Sequence, residues 1–208
     1  MPLAFDPAPI ECRFTRADCG LPQDAFVIAS WGNVYKLNPG LFKLWMSLLK
    51  AIDHAVLWLV DDNPTTTGNI LRWAQSQGVN PKRIVFHKRS VFSEYQQKLS
   101  LADVFLDTFP YNCGSTARDV IKAGVPLLTH PGRSMISRMG ASVNTALGLS
   151  HLVAKDREGL KNMVIEMVGE PRGPEMEGAK LRLARDKTKT ELLRTATHFG
   201  DELIRIRI

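Results

Sequence analysis

Ser115, Thr116 and Asp119 lie close together in LDTFPYNCGSTARDVIKAGVP (106–126). There a short apolar run ends in Asp107, a turn rich in Pro, Asn and Gly follows, and an apolar-periodic helix begins. A helix start offers unpaired backbone N–H groups and the positive end of the aligned peptide dipoles. Two hydroxyls added at that point make an anion site suited to a phosphate. A carboxylate one turn further on repels phosphate but suits sugar hydroxyls, as acidic residues do with ribose in dinucleotide folds. The same residue types also cap helices with no ligand present. Spacing alone leaves both readings open.

A second stretch with chemistry in it is SWGNVYKLNP (30–39). Its Lys36 can reach a crevice and neutralise a phosphate, or stand as a solvated loop lysine. THPGRSMISR (129–138) has Gly132 and Ser134 in a turn, and HKRSVFSEY (87–95) has His87, Lys88 and Arg89. Each could line a crevice or merely start a helix or face water. The histidines have no metal-ligand spacing. No G-x-G-x-x-G, phosphate-binding GK[ST] loop or G-x-S-x-G occurs, which argues against a dinucleotide cofactor.

These residues must be held by something. Apolar runs at 25–31, 55–60, 83–86, 103–108, 125–130 and 151–154 read as strands. Helical periodicity fills the intervals at 40–52, 68–77, 93–101, 115–123, 135–147 and 156–168, with a last helical stretch from about 179 to 206. Strands that alternate with helices form βαβ units, and strands apolar throughout are covered on both faces. The expectation is a Rossmann-like, doubly wound α/β fold with a parallel sheet of about six strands. Residues 1–23 read as a linker and 24–208 as one lobe. In such sheets ligands sit at the carboxyl ends of the strands, where both candidate stretches fall.

Composition narrows the partners. A hydrophobic fraction of 44% in 208 residues is that of a globular protein with a real core. The net charge of +6 leans toward a phosphorylated or polyanionic partner. The basic stretch KLRLARDKTKTELLRT has no aromatics, and only Phe199 follows it, so it reads as a solvated face and not as a nucleic-acid surface. No apolar run reaches eighteen residues and no signal-like N-terminus occurs, so neither membrane nor export is expected. Cys12, Cys19 and Cys113 are odd in number and lack C-x-x-C spacing, as free thiols in a reducing cytoplasm would be.

Several stretches together resemble the C-terminal lobe of the O-linked N-acetylglucosamine transferase family, which includes the SPINDLY-type glycosyltransferases. They are GLPQDAFVIASWGNVYKLNP, WMSLLKAIDHAVLWLV, NILRWAQSQGVNPKRIVF, SLADVFLDTFPYNCGSTARDVIKAGVPLLTHPG and SRMGASVNTALGLSHLVAKD, in family order over roughly residues 16 to 168. The tail TELLRTATHFGDELIRI is similar to the family's closing helix. The resemblance implies half of a two-lobed GT-B enzyme, usually preceded by tetratricopeptide repeats. It implies inverting, metal-independent transfer from a nucleotide sugar to protein or peptide hydroxyls. UDP-GlcNAc is the expected donor, with a GDP-sugar as the alternative. By the same resemblance Lys36 falls on the lysine that neutralises the diphosphate. Ser115 and Thr116 fall on the paired hydroxyls that donate to it, and Asp119 on the ribose-binding aspartate. Asn33 falls beside the donor, Ser90 where backbone groups read the base, and Tyr95 where animal members set a histidine against it. Gly114 stands in place of a histidine, and Cys113 takes a glycine position. The expected partners are a nucleotide sugar, an acceptor, and an N-terminal lobe with repeats, with no further cofactor. The isolated chain is then expected not to transfer sugar. A truncated or degenerate relative that binds a nucleotide or a protein without catalysis is the alternative.

Overall fold

The computed structural model describes residues 10–169; the helix expected near 179–206 lies outside them. Five strands form one sheet: β1 (Phe26–Ala29), β2 (Ala55–Asp61), β3 (Ile84–Lys88), β4 (Val104–Leu106) and β5 (Leu127–Leu128). All pairs are parallel, in the order β3-β2-β1-β4-β5. Six α-helices alternate with them: α1 (Pro39–Ala51), α2 (Pro64–Ser76), α3 (Phe92–Leu99), α4 (Ser115–Lys122), α5 (Met139–Ala146) and α6 (Arg157–Gly169).

The strands form because they are apolar on both faces. Every residue of β1 and β4 is buried, and so are Ala55 to Val60 of β2. Right-handed crossovers then fix which face each helix covers. Helices α1 and α2 follow steps in one direction along the sheet and share a face, where Phe42 stacks on Trp73 with ring centroids 4.0 Å apart. The step from β3 to β4 reverses direction, so α3 and α4 cover the opposite face and touch each other, with α5 beside α4. Helix α6 returns to pack on α1.

Helix starts follow local capping chemistry. Asn38 and Asn63 accept from the N–H groups of Leu41 and Thr66 at 3.0 and 2.9 Å, each just before a proline at the first helical position. The Asn63 cap starts α2 at Pro64, four residues before the apolar periodicity suggests. The fifth expected helix also shifts: Met135–Ser137 is a 3-10 turn, and α5 begins at Met139.

The expected sixth strand at 151–154 is a single bridge. Val153 pairs parallel with Thr129, whose N–H donates to Leu152 O at 3.3 Å and whose carbonyl accepts from Ala154 N at 2.8 Å. Ser150–Leu152 is a 3-10 turn, and the chain turns into α6 directly after the bridge. One residue of pairing is all the space between these turns allows. Among residues 10–23, Arg16 is held against the lobe by Asp103 at 2.8 Å and by the carbonyls of Gln23 and Ala25.

Candidate functional site

From β1 the chain builds outward through β2 and β3, then returns to add β4 and β5 on the other side of β1. The carboxyl ends of β1 and β4 therefore diverge, and that is where doubly wound sheets hold ligands. The loop after β1 carries Asn33 and Lys36. The turn after β4 leads to Gly114, Ser115 and Thr116.

The β4 turn is built around Asp107, which is 2% exposed. One carboxylate oxygen accepts from the N–H groups of Thr108 and Cys113 at 2.8 and 2.7 Å. The other accepts from Thr129 Oγ1 at 2.7 Å. Burial pushes this carboxyl up to about 6, against the lowering effect of those hydrogen bonds. Any side chain at Gly140 would run into the Asp107 carboxylate and Thr129 Oγ1, so glycine lets α5 close over the pair. Asn112 folds the turn back by donating from Nδ2 to Thr108 O at 2.7 Å, while its N–H donates to Ile136 O at 3.1 Å. The sequence alone assigns Asp107 no site role. The signal was a carboxylate closing an apolar strand just before a polar turn, a place where Asp bonds to nearby backbone.

Lys36 closes a short 3-10 turn before α1. Its Nζ donates to Asn112 O at 3.0 Å and stands 4.1 Å from the centroid of the Tyr111 ring. Asn38, besides capping α1, donates from Nδ2 to Phe109 O at 2.6 Å. Two side chains of the β1 loop thus grip the β4 turn. The turn delivers the chain to α4 with Gly114 at the N-cap and no side chain capping the helix. Capping, the ligand-free reading of Ser115 and Thr116, does not describe these residues: they occupy the first two helical positions, Ser115 exposed and Thr116 half-buried. Asp119, on the same helix, is buried. Its Oδ1 has no hydrogen-bond partner among the described residues, because Arg118 Nη2 is 3.7 Å away, too far for a good bond. Burial raises its carboxyl pKa, while Arg118 and Lys122 pull it down.

The remaining expected residues lie on the β1–β3 side. Asn33 is exposed, and its Oδ1 accepts from Arg89 Nη2 at 2.9 Å; the same guanidinium bridges to Asp62 at 2.8 Å. Ser90 Oγ is buried with no partner among the described residues. Tyr95 packs into an aromatic group, 5.3 Å from Trp31 and 6.1 Å from the exposed Phe92 ring. Burial and the nearby Asp119 charge push its phenol upward. His87 lies 3.8 Å from Trp31 between ring centroids, and burial lowers its pKa to about 4, so it is neutral at pH 7. Lys36 reaches the β4 turn at Asn112 O, two residues before Gly114, the N-cap of the helix that Ser115 and Thr116 open. Asn33 is tied to the loop after β3 through Arg89, and Tyr95 of α3 packs on Trp31 just after β1.

A cleft of about 1150 Å³ runs from Gly114 and Ser115 between α4 and α5, walled by Met135, Met139 and Val143, with Arg118 and Arg138 also lining it. Lys36 does not line it. Among the described residues no three His, Cys, Asp or Glu side chains are grouped to hold a metal ion, and no helix is long and apolar enough to cross a membrane.

Residues 9–199 match the family model described as glycosyl transferase family 41. A Caenorhabditis elegans UDP-N-acetylglucosamine–peptide N-acetylglucosaminyltransferase is 32% identical over 153 residues, 74% of this chain and 13% of that protein. An Arabidopsis thaliana protein named "Probable UDP-N-acetylglucosamine–peptide N-acetylglucosaminyltransferase SEC" is 37% identical over 136 residues, 65% of this chain and 14% of that one. The chain therefore spans about one seventh of the length of these relatives. Among solved structures, a mutant O-GlcNAc transferase from Thermobaculum terrenum superposes with a TM-score of 0.75 at 22% identity, over 86% of this chain and 38% of that one. The C-terminal CMP-Kdo binding domain of WaaA from Acinetobacter baumannii superposes at 0.54 and 11% identity, over 78% of this chain and 90% of that one.

Proposed function

The chain belongs to glycosyl transferase family 41, and on that premise we propose that it is the donor-binding lobe of an inverting, metal-independent protein O-glycosyltransferase. The donor is a UDP-sugar of the UDP-GlcNAc type, and the acceptor a Ser or Thr hydroxyl of a protein. The observation that carries this reading is the contact of Lys36 with the Asn112 carbonyl, two residues before the uncapped start of α4.

An uncapped helix start has free N–H groups, and Ser115 and Thr116 add hydroxyl donors to them. A diphosphate held there would meet the Lys36 ammonium from the β1 loop. Charge grows on the diphosphate as the glycosidic bond breaks, so donors already in place stabilise the transition state more than the ground state. Asp119 keeps an unpartnered carboxylate oxygen that a ribose hydroxyl would satisfy. Ser90 and Tyr95 would take the base. The cleft beyond Ser115 leaves room for the sugar. Transfer itself needs an acceptor hydroxyl oriented against the anomeric carbon. That geometry is the work of an N-terminal catalytic lobe, which together with repeats would complete the enzyme in the cytoplasm.

Calorimetric titration of the chain with UDP and with GDP tests the reading. UDP should bind, more weakly than to a two-lobed enzyme because one wall of the cleft is absent. No heat from either nucleotide at millimolar concentration would leave a lobe that has lost its donor site.

A further inference from the structure

Tyr111 has no role in the reading above, yet it makes the closest ring contact to Lys36. Tyr111 is 37% exposed, and the Lys36 Nζ stands 4.1 Å from its ring centroid. The same ammonium donates to Asn112 O, the carbonyl next along the chain, at 3.0 Å. Neither contact is an ion pair. Lys36 is thus aimed by one carbonyl and one aromatic face, both from the β4 turn, and both leave its charge uncompensated.

We propose that Tyr111 is a positioning residue, whose ring face holds the Lys36 ammonium at the crevice in the absence of a ligand. This deepens the reading of Lys36 as the group that meets the diphosphate, and rests on it. A lysine has four rotatable side-chain bonds and loses considerable rotamer freedom when it is fixed. Part of that loss is met before the ligand arrives if a π-face attracts the cation. A carboxylate at this position would hold the lysine more firmly but would cancel the charge that the phosphate needs. An aromatic face avoids the cancellation.

The turn is stiff enough to serve this role. Thr108 Oγ1 donates to Tyr111 O, and Asn112 Nδ2 donates to Thr108 O, so Tyr111 and the residue after it are pinned to the end of β4. Asp107 anchors that end through Thr108 N and Cys113 N. Tyr35, exposed and 6.0 Å from the Tyr111 ring, flanks it.

The test is a set of UDP titrations on the parent chain, Tyr111→Phe, Tyr111→Leu, Lys36→Ala and the Lys36→Ala/Tyr111→Leu double variant. It is read beside the NMR shifts of the Lys36 ε-methylene protons in the free proteins. A cation over a ring shields those protons, so they should be shifted upfield in the parent and in Tyr111→Phe and return to ordinary positions in Tyr111→Leu. UDP affinity should stay within about twofold for Tyr111→Phe, which keeps the π-face, and fall roughly fivefold for Tyr111→Leu. In the Lys36→Ala background, Tyr111→Leu should change nothing further. Three results would overturn the proposal: unshifted Lys36 protons in the parent, a Phe variant as weak as the Leu variant, or an equal Tyr111→Leu loss without Lys36. If Lys36→Ala binds UDP like its parent while the upfield shift is present, the diphosphate reading of Lys36 fails and the ring contact survives.

Discussion

The two sides of the crevice are built by different physics. On one side, β1, β2 and β3 have four, seven and five residues and pair in long register, from Phe26 opposite Ala55 to Asp61 opposite Lys88. On the other, β4 and β5 have three and two residues, and only Phe105–Leu127 and Leu106–Leu128 are in register. Of the long strands, β1 and Ala55 to Val60 of β2 are buried throughout, while β3 is buried only at Ile84 and His87. The short ones are supplemented by polar pins: Asp107 to Thr129, Asn144 Nδ2 to Leu127 O at 2.7 Å, and Gly140 allowing α5 to close down. Apolar packing tolerates small shifts, whereas a hydrogen-bonded turn does not. The side that needs ångström placement, because it presents the helix start, is the side built from hydrogen bonds.

The comparison breaks most readily at Asp107. Asp107→Ala leaves two backbone N–H groups and the Thr129 hydroxyl without their acceptor in a buried site, and should cost roughly 4 kcal/mol of stability by urea denaturation. It should also abolish measurable UDP binding even in the folded fraction. A loss under about 1 kcal/mol would mean that the turn does not depend on its carboxylate.

On the apolar side, Leu57→Ala should cost about 3 kcal/mol through cavity formation. Leu57 is 1% exposed in mid-sheet. UDP affinity, measured where the variant is folded, should be unchanged. A matching loss of affinity would show that both sides set the site geometry equally.

Acidification separates the two sides by sign. His87, with its pKa lowered to about 4, favours folding above the ordinary imidazole range and loses that contribution as pH falls from about 6.5 toward 4. Asp107, raised to about 6, binds its proton more readily folded than unfolded, so its contribution grows as pH falls from about 6 toward 4. Each is worth at most about 3 kcal/mol, and they oppose each other. His87→Gln should therefore turn a shallow pH profile into one in which the protein gains stability between pH 6 and 4. A His87→Gln profile superimposable on that of the parent would remove His87 from the balance.

Smaller effects sharpen the site itself. Lys36→Ala should weaken UDP binding by roughly 1.5–3 kcal/mol, with little change in melting temperature, because a charge-assisted contact is lost without disturbing the core. Thr116→Ala should weaken binding too. Its stability cost should stay under about 0.5 kcal/mol, since Gly114 and not Thr116 holds the N-cap position. A loss of the order of 1 kcal/mol would restore capping as that hydroxyl's role.

The placement of the candidate residues was partly legible in the sequence. Lys36 and Ser115 each follow an apolar strand run, and a doubly wound sheet sends such residues to its carboxyl edge. The sequence did not reveal that Asn112 O and the Tyr111 ring would meet the Lys36 ammonium, or that Arg89 would tie Asn33 to Asp62. Those partners are separated by 27 to 76 residues along the chain and share no local pattern.

The sequence by itself determined the alternation of strands and helices, because period and burial are local properties of apolar spacing. The starts of α1 and α2 are also local, set by the Asn38-Pro39 and Asn63-Pro64 pairs, although apolar periodicity alone places α2 four residues late. Only the tertiary structure decided that the run at 151–154 pairs through one residue and that α4 starts uncapped. It alone decided that Asp107 sits 2% exposed beneath the β4 turn. Each of these depends on what packs against the segment from elsewhere: Thr129 opposite Val153, Gly140 over Asp107, and the β1 loop across the β4 turn. A carboxylate in a polar turn reads as solvated until the helix that buries it is known.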